Sequence, residues 1–296
     1  MKAKSRLSPK VCLTLLLLLT LCVAIPATAQ VAKQGNDVLS SMSFVHDKLQ
    51  PSQPFESLDN VQSLVTSNLQ NGWAAFVIGA NSNWKATVDH RSGLLAFAEG
   101  STAWVPGRGN SLTNASLASV MAGRSKTDMA VLDTIARTYM TRVAPMMGVD
   151  PKSLVLNSGR SGQPAGHVWF VDYDVVLGGL PLEGARVVFR VNNGNLIQFG
   201  TENIPSAGAA VPATVYSQAQ ALAIASKFLG GFSVADLFRD KGSLHLLPAN
   251  VANNGFAEGF KFGQGRGMAK VWQFVFHRDG VQGTWRVRVD ATTGEA

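Results

Sequence analysis

The side chains that most often carry chemistry do not fall into a catalytic spacing in this sequence. The five histidines are His46, His90, His167, His245 and His277. No two of them have the His-Glu-x-x-His spacing that places two zinc ligands on one face of a helix. No Gly-x-Ser-x-Gly turn is present to expose a serine nucleophile. We interpret the histidines as ordinary, partly buried side chains, and a three-histidine metal site built across a sheet stays open as the alternative.

Two further groups of residues could bind a charged ligand. The run Gly263-Gln-Gly265-Arg-Gly267 would need to join a strand to a helix to cradle a phosphate, and it lacks both this context and a following Lys-Ser/Thr pair. Arg286 and Arg288 alternate along a predicted strand, where they face either solvent or an acidic partner. We therefore predict no catalytic, cofactor-binding or metal-binding residue, and no enzyme activity, for residues 1–296.

The first 29 residues have the pattern of a secretory signal peptide. Four basic residues precede an apolar run over residues 11–25, and Ala27-Thr28-Ala29 fits a small-residue cleavage site. The run is shorter than the roughly 20 residues that a membrane-spanning helix needs, which disfavours a membrane anchor. We therefore expect a secreted protein, extracellular or periplasmic, with no membrane attachment after the signal is cleaved.

Loss of the signal peptide changes the charge and the cysteine content. The full chain has 26 basic and 19 acidic residues, and removing four basic residues leaves a net charge of +3. So small an excess gives little support for nucleic-acid binding, and we predict none. Both cysteines, Cys12 and Cys22, are removed as well. The exported chain therefore has no disulfide and must be stabilised by packing.

Residues 167–205 form the segment around which the remaining elements are organised. Three extended runs rich in β-branched and aromatic residues are separated by Gly, Pro and Asn. Asn193-Gly194, between the second and third runs, is a strong hairpin signal because a tight primed turn needs positive φ at both central residues. The pattern predicts an antiparallel meander.

The turn between the first two runs, together with the strand after it, resembles the FTP (fungalysin/thermolysin propeptide) domain. The resemblance rests on Gly179, Leu180, Pro181 and Gly184, with Val175 standing where the family usually has glutamine. A long helix and a strand ahead of the meander also match the order of that family. The resemblance implies a domain from the pro-region of secreted zinc metalloproteases, which assists folding and inhibits the enzyme.

A ten-residue pattern occurs twice in the chain. Trp84-Lys-Ala-Thr-Val-Asp89 and Trp285-Arg-Val-Arg-Val-Asp290 are each followed by two residues, then by Ser or Thr, then by glycine. Alternation along a strand places the tryptophan and the valines on one face. We interpret each aspartate as a turn-former and not as a catalytic acid, and each glycine as the residue that reverses the chain.

The second copy of this pattern, from Trp285 through Asp290 to Gly294, resembles the last strand and turn of a PepSY domain. The first copy looks like a degenerate relative. Such a unit is expected to contain a helix, a strand and a hairpin in that order, and residues 217–229, 243–247 and 270–289 predict them. In the family that this resembles, PepSY domains lie in the pro-regions of thermolysin-like proteases and are thought to restrain peptidase activity.

These patterns predict an α+β fold in which antiparallel sheets, in an FTP-like and a PepSY-like unit, are each packed by one or two helices. The expected divisions are a signal peptide (1–29), N-terminal helices plus degenerate PepSY-like strands (30–110), an FTP-like domain (111–205) and a PepSY-like domain (206–296).

Local signals within these divisions predict individual elements. The N-terminal division is expected to hold helices over 38–49 and 57–69 and a strand over 73–78. Thr127 and Asp128 are expected to open a long helix as its N-cap and first-turn acid, and Pro145 and Gly148 are expected to end it.

Together the resemblances imply a non-catalytic, secreted propeptide-type module that inhibits a zinc metalloprotease and acts as its folding chaperone. The expected partner is the cognate metalloprotease catalytic domain, in cis or in trans, and in a longer precursor that domain would follow Ala296. The alternative is a free-standing secreted FTP/PepSY protein that binds or inhibits a separate protease or envelope partner. An unrelated enzyme or ligand-binding module also stays open.

Overall fold

A computed structural model describes five stretches of the chain. They are residues 55–80, 83–121, 123–125, 128–250 and 262–296. The predicted signal peptide and the helix predicted at 38–49 lie outside these residues. Within the described stretches, no helix combines the length and the apolar character needed to cross a bilayer.

Eleven strands in the described residues pair into one branched, mostly antiparallel sheet. They are β1 Phe55–Ser57, β2 Lys85–Asp89, β3 Leu94–Ala103, β4 Leu154–Leu156, β5 Gly162–Ala165, β6 Val168–Leu177, β7 Leu180–Asn192, β8 Asn195–Glu202, β9 Leu237–Asn250, β10 Arg266–His277 and β11 Trp285–Asp290. The order β1-β2-β3-β8-β7-β6, with β4 and β5 both paired to β6, makes up what we call the large sheet. The small sheet is β9-β10-β11, and it joins the large sheet at β7.

Five α-helices in the described residues pack on these sheets. They are α1 Leu58–Val61, α2 Ser67–Ala80, α3 Ala118–Met121, α4 Met129–Met147 and α5 Gln218–Phe228. Two short 3-10 helices, Asn114–Leu117 and Pro151–Ser153, complete the set. The fold is therefore α+β, dominated by a large and mostly antiparallel sheet with few helices.

The predicted meander is confirmed as β6, β7 and β8. These three strands pair antiparallel with one another, and Asn193 (φ 50°) and Gly194 (φ 87°) both have the positive φ of a primed turn. Its aromatic side chains form the centre of the core under α2 and α4. Phe199 packs edge-on against Phe76 of α2, with ring centroids 5.2 Å apart, so sheet and helices share one apolar interior.

The strand predicted at residues 73–78 is wrong, since this stretch is the second half of α2. Short apolar runs fit either a buried strand or a helix, and length decides between them. Here Leu69, Trp73, Phe76 and Ala80 recur at helical spacing, and they place the apolar face of a 14-residue helix on the core.

The long helix predicted after residue 127 is confirmed as α4, with two local differences. Asp128 is the N-cap itself, because its carboxylate accepts a hydrogen bond from the backbone N–H of Ala130 at 2.8 Å. Pro145 does not end the helix, which continues to Met147. Gly148, in the left-handed conformation at φ 64°, is the C-cap.

The small sheet has α5 on one face and a polar opposite face. Ser217 caps α5 by accepting a hydrogen bond from the N–H of Gln220. Buried Phe274, Val287 and Val289 lie on the covered face. Residues 236–240, for which a turn or a short helix is expected, instead lead into strand β9, which begins at Leu237. They pair with the end of β10, and this pairing overrides their weak local preference.

Candidate functional site

The Gly-Leu-Pro-Leu-Glu-Gly motif lies where β6 turns into β7. Gly178 and Gly179 have φ of 58° and 79°, and they form the turn that opposes Leu177 to Leu180. Pro181 is exposed and pairs with Val176. The two glycines thus allow a tight reversal that few other residues would tolerate.

The residues after this turn join the large sheet to the small sheet. Leu182 is 2% exposed and forms a parallel backbone bridge with Leu246 of β9. Gly184 follows at φ 69°, and its carbonyl accepts a hydrogen bond from the Asn203 side chain at 3.0 Å. The motif therefore positions the start of β7 as the joint between the sheets.

The Trp-x-Val-x-Val-Asp motif forms β11 and the turn that ends it. Trp285 lies opposite Phe276 of β10. The carboxylate of Asp290 accepts hydrogen bonds from the backbone N–H groups of Thr292 and Thr293 at 2.7 and 2.8 Å. Gly294 adopts φ 76°, and a Cβ there would lie 2.8 Å from the Tyr216 ring. Asp290 and Gly294 thus build the turn, and no proton-transfer partner faces the carboxylate in these contacts.

An ion pair connects the two motifs across 105 residues of sequence. Arg288 Nη2 lies 2.8 and 2.7 Å from the two carboxylate oxygens of Glu183. Arg288 also donates from Nε and Nη2 to Oε1 of Gln273, at 3.1 and 2.9 Å. Arg288 binds a carboxylate of its own chain, whereas Arg286 is exposed.

His245 extends this network along β9. Its Nδ1 lies 2.9 Å from Oε1 of Glu183, and its Nε2 lies 2.8 Å from Oγ of Ser243. The Ser243 hydroxyl in turn lies 2.5 Å from Oδ2 of Asp240. Burial works to raise the pKa of Asp240, but hydrogen bonds from Ser243, Gly242 and Gln273 outweigh it and lower that pKa. We call Glu183, Asp240, Ser243, His245, Gln273 and Arg288 the polar clasp.

The atom order Ser243–His245–Glu183 is that of a nucleophile, a base and an orienting acid, but the hydrogen bonds give it a different role. The single hydroxyl proton of Ser243 is directed to the Asp240 carboxylate, and Glu183 is neutralised by Arg288. The side chains of the polar clasp also line neither of the two cavities on the large-sheet side. The arrangement suits a fixed link between strands β7, β9, β10 and β11.

Two cavities lie on the large-sheet side of the described residues. The first, of about 540 Å³, is mostly apolar and lies between α2, α4 and β3, with Phe76, Trp104 and Tyr139 in its wall. The second, of about 640 Å³, is more polar and contains Arg108 and His167. In the first wall, the Trp104 Nε1 and Tyr139 hydroxyl atoms are buried with no hydrogen-bond partner in the described part of the chain. Since both atoms are already covered by protein, a ligand entering the cavity does not reach them.

The described histidines are scattered and do not converge. The His90 ring lies 4.9 Å from that of Phe262, at a tilt. His167 lines the second cavity, His245 belongs to the polar clasp, and Nδ1 of His277 lies 2.8 Å from the Gly283 carbonyl. Over the stretches that the structure describes, no three His, Cys, Asp or Glu side chains are grouped to hold a metal ion.

Sequence reasoning identified the two motifs but not the clasp between them. Ser243 with His245, and Gln273 opposite Arg288, could have been placed on one face by strand alternation. Glu183, the one charge in an otherwise apolar motif, was a further signal. The pairing of β7 with β9 joins segments that are far apart in sequence, and no local pattern predicts it.

Comparisons with known proteins give little guidance. No family model matches the sequence, and no curated protein matches it. Among solved structures, the Bacillus megaterium YpeB C-terminal domain is matched at 14% sequence identity with a TM-score of 0.26, over 73% of this chain and 75% of that chain. At this TM-score the likeness carries no argument about fold or function.

Proposed function

We propose that the chain is a non-catalytic, exported module of FTP/PepSY type that inhibits a zinc metalloprotease and assists its folding. One observation carries the proposal. The helix, strand and hairpin that the PepSY resemblance implies correspond to α5, β9 and β10–β11. A turn over Asp290–Gly294 follows β11, as the motif implies. The long helix α4, strand β4 and meander β6–β8 likewise follow the order that the FTP resemblance implies.

The proposed mode of action is recognition by shape. A pro-region must present a preformed surface to its enzyme, because ordering a flexible segment on binding costs affinity. The paired sheets, tied together by the polar clasp, supply such a surface. Sheet edges and loops are the elements through which β-rich modules commonly bind a partner chain.

The test is inhibition of a zinc metalloprotease of the thermolysin class. The exported chain, residues 30–296, would be added in increasing amounts to thermolysin, and hydrolysis of a peptide substrate would be followed. We expect saturable loss of activity. When the denatured protease is refolded with the chain present and is then diluted to release the inhibitor, we expect activity to return faster than without the chain. Hydrolysis by the chain alone, or no effect on the protease, would contradict the proposal.

Reading the coding sequence beyond Ala296 distinguishes the two forms of the proposal. An in-frame His-Glu-x-x-His domain indicates action in cis, whereas a stop codon indicates a free-standing protein that acts in trans. Export predicts that the secreted form begins at Gln30, which amino-terminal sequencing would establish. A retained amino terminus at Met1 would contradict export.

A further inference from the structure

The first cavity lies in the large-sheet half, where helices α2 and α4, the end of β3 and the segment 117–120 all line it. Its volume of about 540 Å³ falls within the range of about 300–1,000 Å³ that is usual for small-molecule pockets. Well-packed protein interiors contain few voids larger than a water molecule. A mostly apolar space of this size is therefore a binding pocket by its dimensions. We call it the α2–α4 pocket.

Small residues on α2 explain why this space exists. Four of them line the pocket: Gly72, Ala75, Gly79 and Ala80. At Gly72 the two helices are in close contact, since a Cβ there would lie 2.7 Å from Cγ of Met146 on α4. At Gly79, apart from the helix backbone itself, a Cβ would have no atom within 4 Å. The pocket therefore has a tightly packed end and a roomy end.

Aromatic and aliphatic side chains make the wall of the pocket apolar. The Phe76 ring of α2 lies 6.1 Å from the Tyr139 ring of α4, edge-on. Ile135, one turn before Tyr139, is buried and continues this wall. The polar atoms of Trp104 and Tyr139 are covered by protein, so both residues offer a ligand their carbon surfaces. The wall therefore favours an apolar chain over a polar molecule.

Arg142 is the one side chain with a full charge among the described residues that line the pocket. It is exposed, and it forms no hydrogen bond or ion pair with a described residue. Its charge partly offsets the burial that raises the pKa of the Tyr139 hydroxyl, so the guanidinium lies beside the aromatic wall. The nearest acid along α4, Asp133, already binds Arg137 and Tyr173. Arg142 is therefore available to an anion from outside the chain.

The charge and the open space lie at opposite ends of the pocket. Helices α2 and α4 run in opposite directions, because Gly72 packs on Met146 whereas Phe76 lies against Tyr139. Arg142 precedes Met146 by about one turn, so its charge lies towards the tightly packed end. The roomy end has no charged residue among the described ones that line it. This polarity matches a molecule with an anionic head and an apolar tail.

We propose that the α2–α4 pocket binds a fatty acid, with its carboxylate on Arg142 and its alkyl chain along the apolar wall towards Gly79. A guanidinium presents paired N–H donors that match the two oxygens of a carboxylate. Burial of the alkyl chain supplies affinity in proportion to the apolar area removed from water. This activity is separate from the proposed function, because neither the two sequence motifs nor the polar clasp line the pocket.

The experiment measures the binding of decanoate and of decyl alcohol by isothermal titration calorimetry, each below the concentration at which it aggregates. The exported chain is compared with four variants. Arg142→Gln removes the anion contact, and Arg239→Gln, which changes an exposed arginine of β9, is its matched control. Gly79→Phe fills the roomy end. Gly79→Ala is its control, since it also replaces glycine by a better helix former but adds little volume. Thermal unfolding of each form would verify that the fold is retained.

We expect a single decanoate to bind per chain, and decyl alcohol to bind at least about tenfold more weakly because it lacks the charge-assisted pair. Arg142→Gln should weaken decanoate binding by at least about tenfold and leave decyl alcohol binding unchanged. Gly79→Phe should weaken the binding of both molecules by at least about tenfold, because the alkyl chain loses its space. Arg239→Gln and Gly79→Ala should stay within about twofold of the wild type.

Three results would each overturn the inference. The first is that the wild type does not bind decanoate saturably. The second is that Arg142→Gln binds decanoate as tightly as the wild type. The third is that Gly79→Phe retains both the fold and the wild-type affinity. Because these readouts involve no protease, they are independent of whether the chain inhibits thermolysin.

Discussion

Tyr139 and Tyr173 contribute to the same aromatic core, but their hydroxyls differ in what they contact. Tyr173 donates to Oδ1 of Asp133 at 2.7 Å, whereas the Tyr139 hydroxyl is buried with no partner among the described residues. Burial raises the pKa of both hydroxyls, and for Tyr173 the hydrogen bond to Asp133 raises it further. Both side chains therefore stay protonated, and only one of them uses its proton within the described part of the chain.

This difference predicts opposite outcomes for the same chemical change. We expect Tyr173→Phe to lower the free energy of unfolding by about 1.5–3 kcal/mol, the usual worth of a hydrogen bond to a charged group. Tyr139→Phe is expected to leave it unchanged or to raise it by up to about 1 kcal/mol, because an unsatisfied buried hydroxyl is removed. Urea unfolding of both variants measures the contrast. Equal destabilisation would show that the Tyr139 hydroxyl has a partner.

Asp236 gives a prediction about acid stability. Its hydrogen bonds from Arg278 lower its pKa below the usual range, while burial acts in the opposite direction. The unfolded chain therefore binds this proton more readily than the folded one. The resulting stabilisation is complete above about pH 4, the unfolded value, and it is lost as the pH falls through the lower folded pKa.

The variant Asp236→Asn tests this linkage. At neutral pH we expect it to lose about 3–5 kcal/mol of stability, because Arg278 is left buried without its carboxylate. The gap from the wild type should narrow in strong acid, where the wild-type carboxyl is itself protonated. Urea unfolding of both forms, at neutral pH and in strong acid, would measure this difference in unfolding free energy. If the wild type and Asp236→Asn differ in unfolding free energy by the same amount at neutral and at acid pH, the acid-sensitive stabilisation comes from a group other than Asp236.

At the level of elements, prediction succeeded where one strong local signal decided the outcome. The Asn193-Gly194 hairpin and the start of α4 at Asp128 follow directly from residue types. Prediction failed for residues 73–78, because a short apolar run fits either a strand or a helix and the length of the element decides between them. It failed for residues 236–240 because pairing with β10 overrides a weak local preference. The polar clasp was not predictable, because its six members come from four strands whose neighbours are set by long-range topology.

Two glycines in turns with similar φ provide a matched test of this element-level argument. Gly179 has φ 79° and nothing within 4 Å of where a methyl group would lie, whereas at Gly194 (φ 87°) a Cβ would lie 2.4 Å from the Val105 carbonyl oxygen. We expect Gly179→Ala to cost about 1–2 kcal/mol from backbone strain alone. Gly194→Ala should cost about 1–3 kcal/mol more, because the loop packed on the hairpin must also move.

Thermal and urea unfolding of the two glycine variants would measure this difference. The Trp104 and Val105 N–H groups donate to the Gly194 carbonyl at 3.0 and 2.9 Å, so displacement of the hairpin also disturbs these bonds. An equal loss of unfolding free energy at Gly179 and Gly194 would contradict this prediction. It would mean that the close contact between Gly194 and Val105 costs nothing beyond the positive φ that both turns require.

Across the whole molecule, the link between the sheets is narrow compared with the sheets themselves. Among the described residues, the strands of the two sheets pair at one parallel backbone bridge, Leu182 to Leu246, supported by the polar clasp. The halves also meet outside the strands, where the Gly263 and Gly265 N–H groups donate to the His90 and Arg91 carbonyls at 2.9 and 2.7 Å. By contrast, β6 and β7 pair along nearly their full length. Such an arrangement favours opening of the small sheet as a separate cooperative unit.

Native-state hydrogen exchange would detect this sub-global opening. We expect amides of β9–β11 to exchange with a lower opening free energy than those of β6–β8. Removing the Glu183–Arg288 ion pair of the clasp with Glu183→Gln should widen that difference. The control Glu202→Gln breaks an ion pair with Arg186 inside the large sheet and should leave the difference unwidened. If the amides of β6–β8 and of β9–β11 all exchange with one opening free energy, the two sheets unfold together and the small sheet is not a separate cooperative unit.

Strand β7 belongs to both sheets. The place where the sheets pair is therefore different from the peptide segment that connects them along the chain. The peptide between β8 and α5 carries the chain from one half to the other, yet the strands of the two halves pair at the start of β7. Scission of that peptide near residue 208 would therefore leave a two-fragment complex in register. The same geometry would let the halves be produced separately and reassembled by complementation.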